Sequence, residues 1–165
     1  MQTQHLSEQE IIRREKLTGL QKLGIDPYPA PLYPVNHYST EIKNTFNDDY
    51  KESFSDVCLA GRIMSVRDMG KASFAELQDS KGRIQIYVRK DDLAKGEDTS
   101  LYDVVWKKLL DIGDFIGIKG FVFRTKLGEI SVHVKELTFL GKIMTELAGL
   151  FHTIGSFRFG PGIFT

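Results

Sequence analysis

The sequence predicts a mainly β fold: a small closed barrel of five strands with one helix between the third and the fourth, preceded by an N-terminal helix and a proline-rich connector. Three observations carry this reading. From Val57 to Leu140 apolar and polar residues alternate with period two, the spacing of strands that bury one face. A single helical pattern interrupts the alternation, in TSLYDVVWKKLLDIG from Thr99 to Gly113. Two short polar turns, DSKGR at 79–83 and TKLGE at 125–129, each hold a glycine able to supply positive φ and so join neighbouring strands tightly.

At the N-terminus, SEQE at Ser7 to Glu10 has the form of a capping box, and strong helix formers follow in IIRREKLTGLQKL. A helix over about Ser7 to Leu23 is expected, with Gly24 where a C-terminal cap belongs. DPYPAPLYP, Asp26 to Pro34, then forces an extended passage, because proline denies the backbone both helix and ladder hydrogen bonds. Strands are expected near Val57 to Val66, Ala72 to Gln78, Arg83 to Arg89, Asp114 to Arg124 and Glu129 to Phe139. Leu101, Val104, Val105, Lys108 and Leu109 give the intervening helix its stripe. Five strands with one helix at that place is the layout of an OB-fold, a Greek-key barrel. The chain divides into a helix and connector (1–54), a barrel (55–142) and an atypical tail (143–165).

Composition narrows the function. The chain has 165 residues, 41% hydrophobic and 27% charged, enough for one core with extensions. Lys plus Arg and Asp plus Glu each number 22, so no global field draws the chain to nucleic acid and any such site must be local. The one cysteine, Cys58, excludes an intramolecular disulfide framework within this sequence and reads as core packing in a reducing compartment. No signal-peptide core and no apolar run near the roughly 20 residues of a membrane span is present, which points to a cytoplasmic protein with no membrane partner. His5, His37, His133 and His152 lack metal-ligand spacing, and no phosphate-binding glycine loop or nucleophile–base pair occurs. The expected function is recognition rather than catalysis, with no metal.

Strand alternation assigns the faces. Ile84, Ile86 and Val88 turn inward with Ala75 and Leu77, and with Ile130, Val132 and Val134 of the last strand. Phe74, Gln85, Tyr87 and Arg89 then share the outer face with Glu129, Ser131 and His133. An aromatic ring ringed by hydrogen-bonding groups makes a stacking platform, and OB-folds bind oligonucleotides on the face centred on their second and third strands. An outward phenylalanine can equally lie covered beneath the N-terminal helix or the connector. The helix carries Arg13, Arg14, Lys16 and Lys22, either a solvated face or a phosphate-contacting one.

LSEQEIIRREKLTGLQKLGIDPYP, MGKASF followed by LQDSKGRIQ, and GDFIGIKGFVFRTKLGEISVHVKELTFL together resemble the N-terminal anticodon-binding domain of bacterial-type class II lysyl-tRNA synthetases, over about Leu6 to Lys142. Aspartyl and asparaginyl relatives share the arginine, phenylalanine and glutamine positions; MGKASF and the helix exit favour lysine. The resemblance implies that Phe74 stacks on an anticodon base, that Gln85 hydrogen-bonds the central uridine, and that Arg67 and Glu129 complete the contacts. Arg13, Arg14, Lys16, Tyr87 and Arg89 are further RNA-contacting candidates. Strict alternation would turn Arg67 inward, so a bulge is expected before DMG. Where family members often carry a second arginine, this sequence has Val66. The implied partner is tRNA, the tRNA-Lys anticodon stem-loop, bound by a monomer or weak dimer. ATP and Mg would belong to a catalytic domain whose motifs do not occur here. IMTELAGLFHTIGSFRFGPGIFT departs from the family after Lys142 and reads as a truncated or recombined end, or as a small partner-binding tail. A general single-strand-binding module and a protein-interaction module are the alternative functions.

Overall fold

The computed structural model describes residues 7–25 and 33–142. Most of the proline-rich passage and the tail at 143–165 lie outside the described residues. Helix α1 spans Glu8–Lys22 and closes its first turn as the sequence requires. The Ser7 hydroxyl accepts from the Glu10 N–H at 3.3 Å while the Ser7 N–H donates to Glu10 Oε2 at 3.0 Å. Gly24 takes φ 74° just past the helix, the conformation that costs any side chain most.

Five strands follow: β1 (Val57–Asp68), β2 (Ala72–Gln78), β3 (Arg83–Arg89), β4 (Phe115–Arg124) and β5 (Ile130–Gly141). They close into a barrel in the order β1-β2-β3-β5-β4, antiparallel except where β3 runs parallel to β5. A closed barrel leaves no unpaired sheet edge. Its interior holds Val57, Leu59 and Ile63 of β1, Ala75 and Leu77 of β2, Ile84, Ile86 and Val88 of β3, Ile116, Ile118 and Val122 of β4, and Val132 and Val134 of β5. These are the inward residues expected of β2, β3 and β5. Ile130, at the start of β5, is partly buried and packs against the cluster.

Four local features differ from the sequence reading. The helix between β3 and β4 is two pieces: a single turn, α3, at Lys90–Leu93, and a π-helix at Leu101–Leu109. The wider winding, seen in the bond from Leu110 N–H to Val105 O, buries Tyr102, Val105 and Trp106, whereas Leu101 and Val104 are only partly buried and Lys108 is exposed. Secondly, the connector is structured beyond the prolines. Helix α2 (Ser39–Thr45) and a 3-10 segment (Asp48–Phe54) deliver Ile42, Phe46 and Phe54 to the barrel's own apolar cluster, as α1 delivers Leu20. Residues on both sides of position 54 therefore share one core.

Thirdly, the two turn glycines serve different ends. Gly128 has φ 90° in the β4–β5 turn, but Gly82 in the β2–β3 turn does not have positive φ. A Cβ at Gly82 would stand 2.7 Å from Thr40 Oγ1, so close approach of α2 is what a side chain would obstruct. Fourthly, Cys58 is buried but is not part of the barrel's apolar cluster. Val57 and Leu59 point in, Cys58 points out, and the 33–38 segment covers it through Asn36, whose Oδ1 accepts the Cys58 N–H at 2.7 Å. Burial raises the thiol pKa, which leaves it protonated and unreactive at neutral pH. No described helix is long and apolar enough to cross a membrane.

Candidate nucleic-acid interface

The outer faces of β2 and β3, flanked by the β1–β2 and β4–β5 turns, form an open groove of about 1070 Å³. Arg67, Phe74, Gln85, Tyr87 and Glu129 all line it. The register explains why. Phe74 of β2 pairs with Tyr87 of β3, and Glu76 pairs with Gln85, so these four alternate residues stand on one face of two adjacent strands. Gln85 in turn pairs with Ser131 of β5, two residues beyond Glu129.

Arg67 reaches the same face because β1 carries the expected irregularity. Ile63 pairs with Leu77 and Ser65 with Glu76, so Met64 is an extra residue that reverses the facing of everything after it. Arg67 then pairs with Phe74, and its guanidinium carbon lies 5.3 Å from the ring centroid. Phe74 meets Tyr87 on the neighbouring strand at 4.9 Å between centroids, tilted by 34°. The ring is thus held by a cation and an aromatic neighbour while remaining half-exposed to the groove. Tyr87 continues the aromatic surface toward His133 at 5.2 Å and Phe123 at 6.1 Å.

The polar groups divide into two sets. Glu76 and Arg83 satisfy each other at 2.8 Å, and the Arg83 Nε also donates to Gln78 Oε1 at 3.0 Å. By contrast, the Gln85 amide and the Glu129 carboxylate make no hydrogen bond among the described residues, although the backbone of Glu129 is fixed by Thr125 Oγ1 at 3.0 Å. Ser131, expected to face outward, is fully buried and its hydroxyl has no hydrogen-bond partner among the described residues. It pairs in register with Gln85 on β3 and Phe123 on β4. A buried hydroxyl without a partner costs on the order of 1–3 kcal/mol. Lys43 and Lys126 join Arg67 in lining the groove and tip its charge to positive.

The remaining candidates lie elsewhere. Arg89, at the end of β3, is drawn to Asp91 at 3.6 Å and Asp92 at 3.7 Å and does not line the groove. Asp92 also takes His133 Nε2 and Lys135 Nζ, each at 2.6 Å. Burial alone would raise the Asp92 pKa, but the bonds from Lys135 and His133 outweigh it and the net shift is downward. Arg13, Arg14 and Lys16 sit on α1, which packs against the π-helix, and none of them lines the groove. Lys16 is half-buried with its ammonium bound by Asp111, Arg13 is partly buried, and Arg14 is exposed.

Sequence reasoning missed Lys43, Met69, Phe123, Lys126 and Leu127 as groove residues. The two phenylalanines of FVFR were legible, since alternation about Val122 turns Phe121 and Phe123 outward. Lys43 carried no signal, because it arrives through α2. Among the described residues no cluster of histidine, cysteine or carboxylate side chains is arranged to hold a metal ion.

Comparison with known proteins gives this geometry a family. A model of the OB-fold nucleic acid binding domain, tRNA anti-codon, matches residues 57–140, from the start of β1 to one residue short of the end of β5 at Gly141. Lysine–tRNA ligase of Porphyromonas gingivalis (strain ATCC 33277) is 61% identical over 142 residues, 86% of this chain and 25% of the relative. The lysine–tRNA ligase of Christiangramia forsetii is 56% identical over 144 residues, 87% of this chain and 24% of the relative. That of Streptococcus suis is 43% identical over 159 residues, 92% of this chain and 31% of the relative. The chain therefore spans about a quarter of the length of the relatives it matches most closely among these. With the matched barrel covering more than half of its 165 residues, the chain belongs to the tRNA anti-codon family of OB-fold nucleic acid binding domains.

Proposed function

We propose that this chain recognises the anticodon of tRNA-Lys, as the anticodon-binding part of a lysine–tRNA ligase acting in the cytoplasm. The observation that carries the reading is a pair of unengaged polar side chains, the Gln85 amide and the Glu129 carboxylate, lining one groove with the exposed face of Phe74. A splayed base stacks on Phe74, a contact worth about 1 to 3 kcal/mol. Its edge then meets Gln85 and Glu129. Uracil offers an N3–H between two carbonyls, and an ionised carboxylate accepts from that N3–H. Cytosine offers a bare N3 there, which the carboxylate repels. Arg67 and Lys43 bind the phosphates that flank the base, so the barrel at 55–142 binds together with α2, which brings Lys43 to the groove. The similarity to lysine–tRNA ligases supports the choice of tRNA. Aminoacylation, with its ATP and Mg, belongs to the three-quarters of those relatives' length that this chain does not match.

Competition tests the reading. With a labelled tRNA-Lys anticodon stem-loop bound, unlabelled stem-loop should displace it at concentrations where a stem-loop of scrambled anticodon does not. Equal displacement by the scrambled loop, or stronger displacement by polyuridine, would reduce the site to a sequence-tolerant single-strand binder. No binding at low salt would leave a protein-interaction module.

A further inference from the structure

Eight large apolar residues are exposed among those described, and three of them, Val66, Met69 and Leu127, line the groove. Leu127 is the extreme case at 98% exposed. It stands at the tip of the β4–β5 turn, and hydrogen bonds brace that turn. The Thr125 N–H donates to Glu129 O and the Gly128 N–H to Thr125 O, both at 2.9 Å, while the Arg124 side chain binds Gly128 O at 3.3 Å and Asp48 at 3.2 Å. A leucine held out by a braced turn is presented to solvent at a cost that water alone does not offset.

The register fixes where it stands. Met69 belongs to the β1–β2 turn, beside the Phe74 end of the β2–β3 face. Leu127 precedes β5, whose first paired residues lie beside Gln85. The two apolar side chains thus mark opposite ends of the groove, with the stacking ring and the polar edge readers between them. Lys126 lies next to Leu127, and Lys43 lines the same groove, so a polyanionic strand is drawn to this end. An open groove of about 1070 Å³ has room for more than the one base that Phe74 and Gln85 occupy.

We infer that Leu127 is an RNA-contacting residue: a fixed apolar wedge that packs against the base next to the one stacked on Phe74, at the Glu129 end of the groove. This rests on the reading of the groove as an RNA site and extends it from one nucleotide to its neighbour. The physical basis is burial of an aliphatic side chain against a base face, with Lys126 beside it on the adjoining phosphate. The contact is indifferent to base identity, because every base has an apolar face. It therefore adds affinity and sets the angle at which the strand leaves the platform, while discrimination stays with Gln85 and Glu129.

A double-mutant cycle tests it, using fluorescence anisotropy of a labelled anticodon stem-loop RNA. Leu127→Ala should weaken binding about three- to tenfold, and because the side chain touches solvent alone its melting temperature should match that of the parent. Three further RNAs lack the base 5′ of the central anticodon position, the base 3′ of it, or both. One single-abasic RNA and the double-abasic RNA should bind parent and Leu127→Ala equally, since the wedge's partner is then missing. Unchanged affinity of Leu127→Ala for the intact loop, or a loss that persists undiminished in the double-abasic RNA, overturns the inference. Phe74→Ala, measured in parallel, separates this failure from a wider one. If Phe74→Ala binds more weakly while Leu127→Ala does not, the wedge alone is wrong; if neither variant differs from the parent, the groove is not the RNA site and both readings fall.

Discussion

Two polar regions of the barrel treat their charges in opposite ways. Where β5 ends, the fully buried Lys142 ammonium donates to Asp114 at 2.6 Å, to Asp111 at 2.7 Å and to Leu109 O at 3.1 Å. Asp114 also accepts the Asp111 N–H at 2.8 Å, and Asp111 takes Lys16 from α1. Every group there answers another group of the protein, so the cluster ties α1, the exit of the π-helix, the start of β4 and the end of β5 together. In the groove, by contrast, Gln85 and Glu129 lack hydrogen-bond partners and Arg67 lacks a carboxylate partner among the described residues, its guanidinium lying over the Phe74 ring. Polar groups that satisfy one another hold a fold; polar groups aimed into a groove without partners are available to a ligand. None of the Lys142 cluster residues lines the groove, which makes the two regions separable by mutation.

The largest expected effect breaks the first region and spares the second. Lys142→Ala removes the ammonium that Asp111 and the fully buried Asp114 share, and removal of one partner from a buried ion cluster costs about 3 to 5 kcal/mol. Chemical denaturation should record a loss of that size, while the fraction that remains folded binds anticodon RNA within twofold of the parent. Phe74→Ala is the mirror experiment. It should cost about 1 to 3 kcal/mol in RNA binding and shift the melting temperature by only a few degrees. A large drop in melting temperature with unchanged binding would make Phe74 a core residue rather than a platform.

Acid sharpens the comparison more gently. Burial raises the Asp111 pKa, but the bonds from Lys142 and Lys16 outweigh it and the net shift is downward. A carboxylate depressed in the folded state contributes stability that is complete above its unfolded pKa, about 3.9, and is lost as pH falls through the lower folded value. Stability from this cluster should therefore be flat from neutral pH to about 5 and decline below about 4. A decline already complete at pH 6 would assign the acid sensitivity to other groups.

How much was legible in the sequence follows the range of the forces involved. The bounds of β2 and β3, Ala72–Gln78 and Arg83–Arg89, and the capping box of α1 depend on alternation and on neighbours within a few residues. The groove residues of β2 and β3 followed from the same parity, and the bulge that admits Arg67 from a conflict between parity and role. Helix α2 was not legible because its cap comes from far away. Tyr38 offers no side-chain cap, and Asp79 of the β2–β3 turn instead accepts the Ser39 N–H at 2.6 Å and its hydroxyl at 2.7 Å. Lys43 enters the groove by the same route. The Lys142 cluster joins residues 28 and 31 positions apart, and no local pattern marks such a partnership. Lys16 looked like a surface cation for the same reason.

If the unengaged pair Gln85 and Glu129 reads the edge of the base stacked on Phe74, one set of anisotropy titrations shows it directly. Two stem-loops that differ only in uridine or cytidine at the central anticodon position are titrated with the parent, Gln85→Ala and Glu129→Gln. The parent should prefer uridine by about 1 to 3 kcal/mol, the size of one good base-edge discrimination. Gln85→Ala should lose most of that preference while Phe74 still supports weak binding to both loops, and Glu129→Gln should relax it with affinity retained, because the amide can donate to the cytosine N3. Equal affinity of the parent for the two loops would contradict the account and leave a groove that stacks bases without reading them.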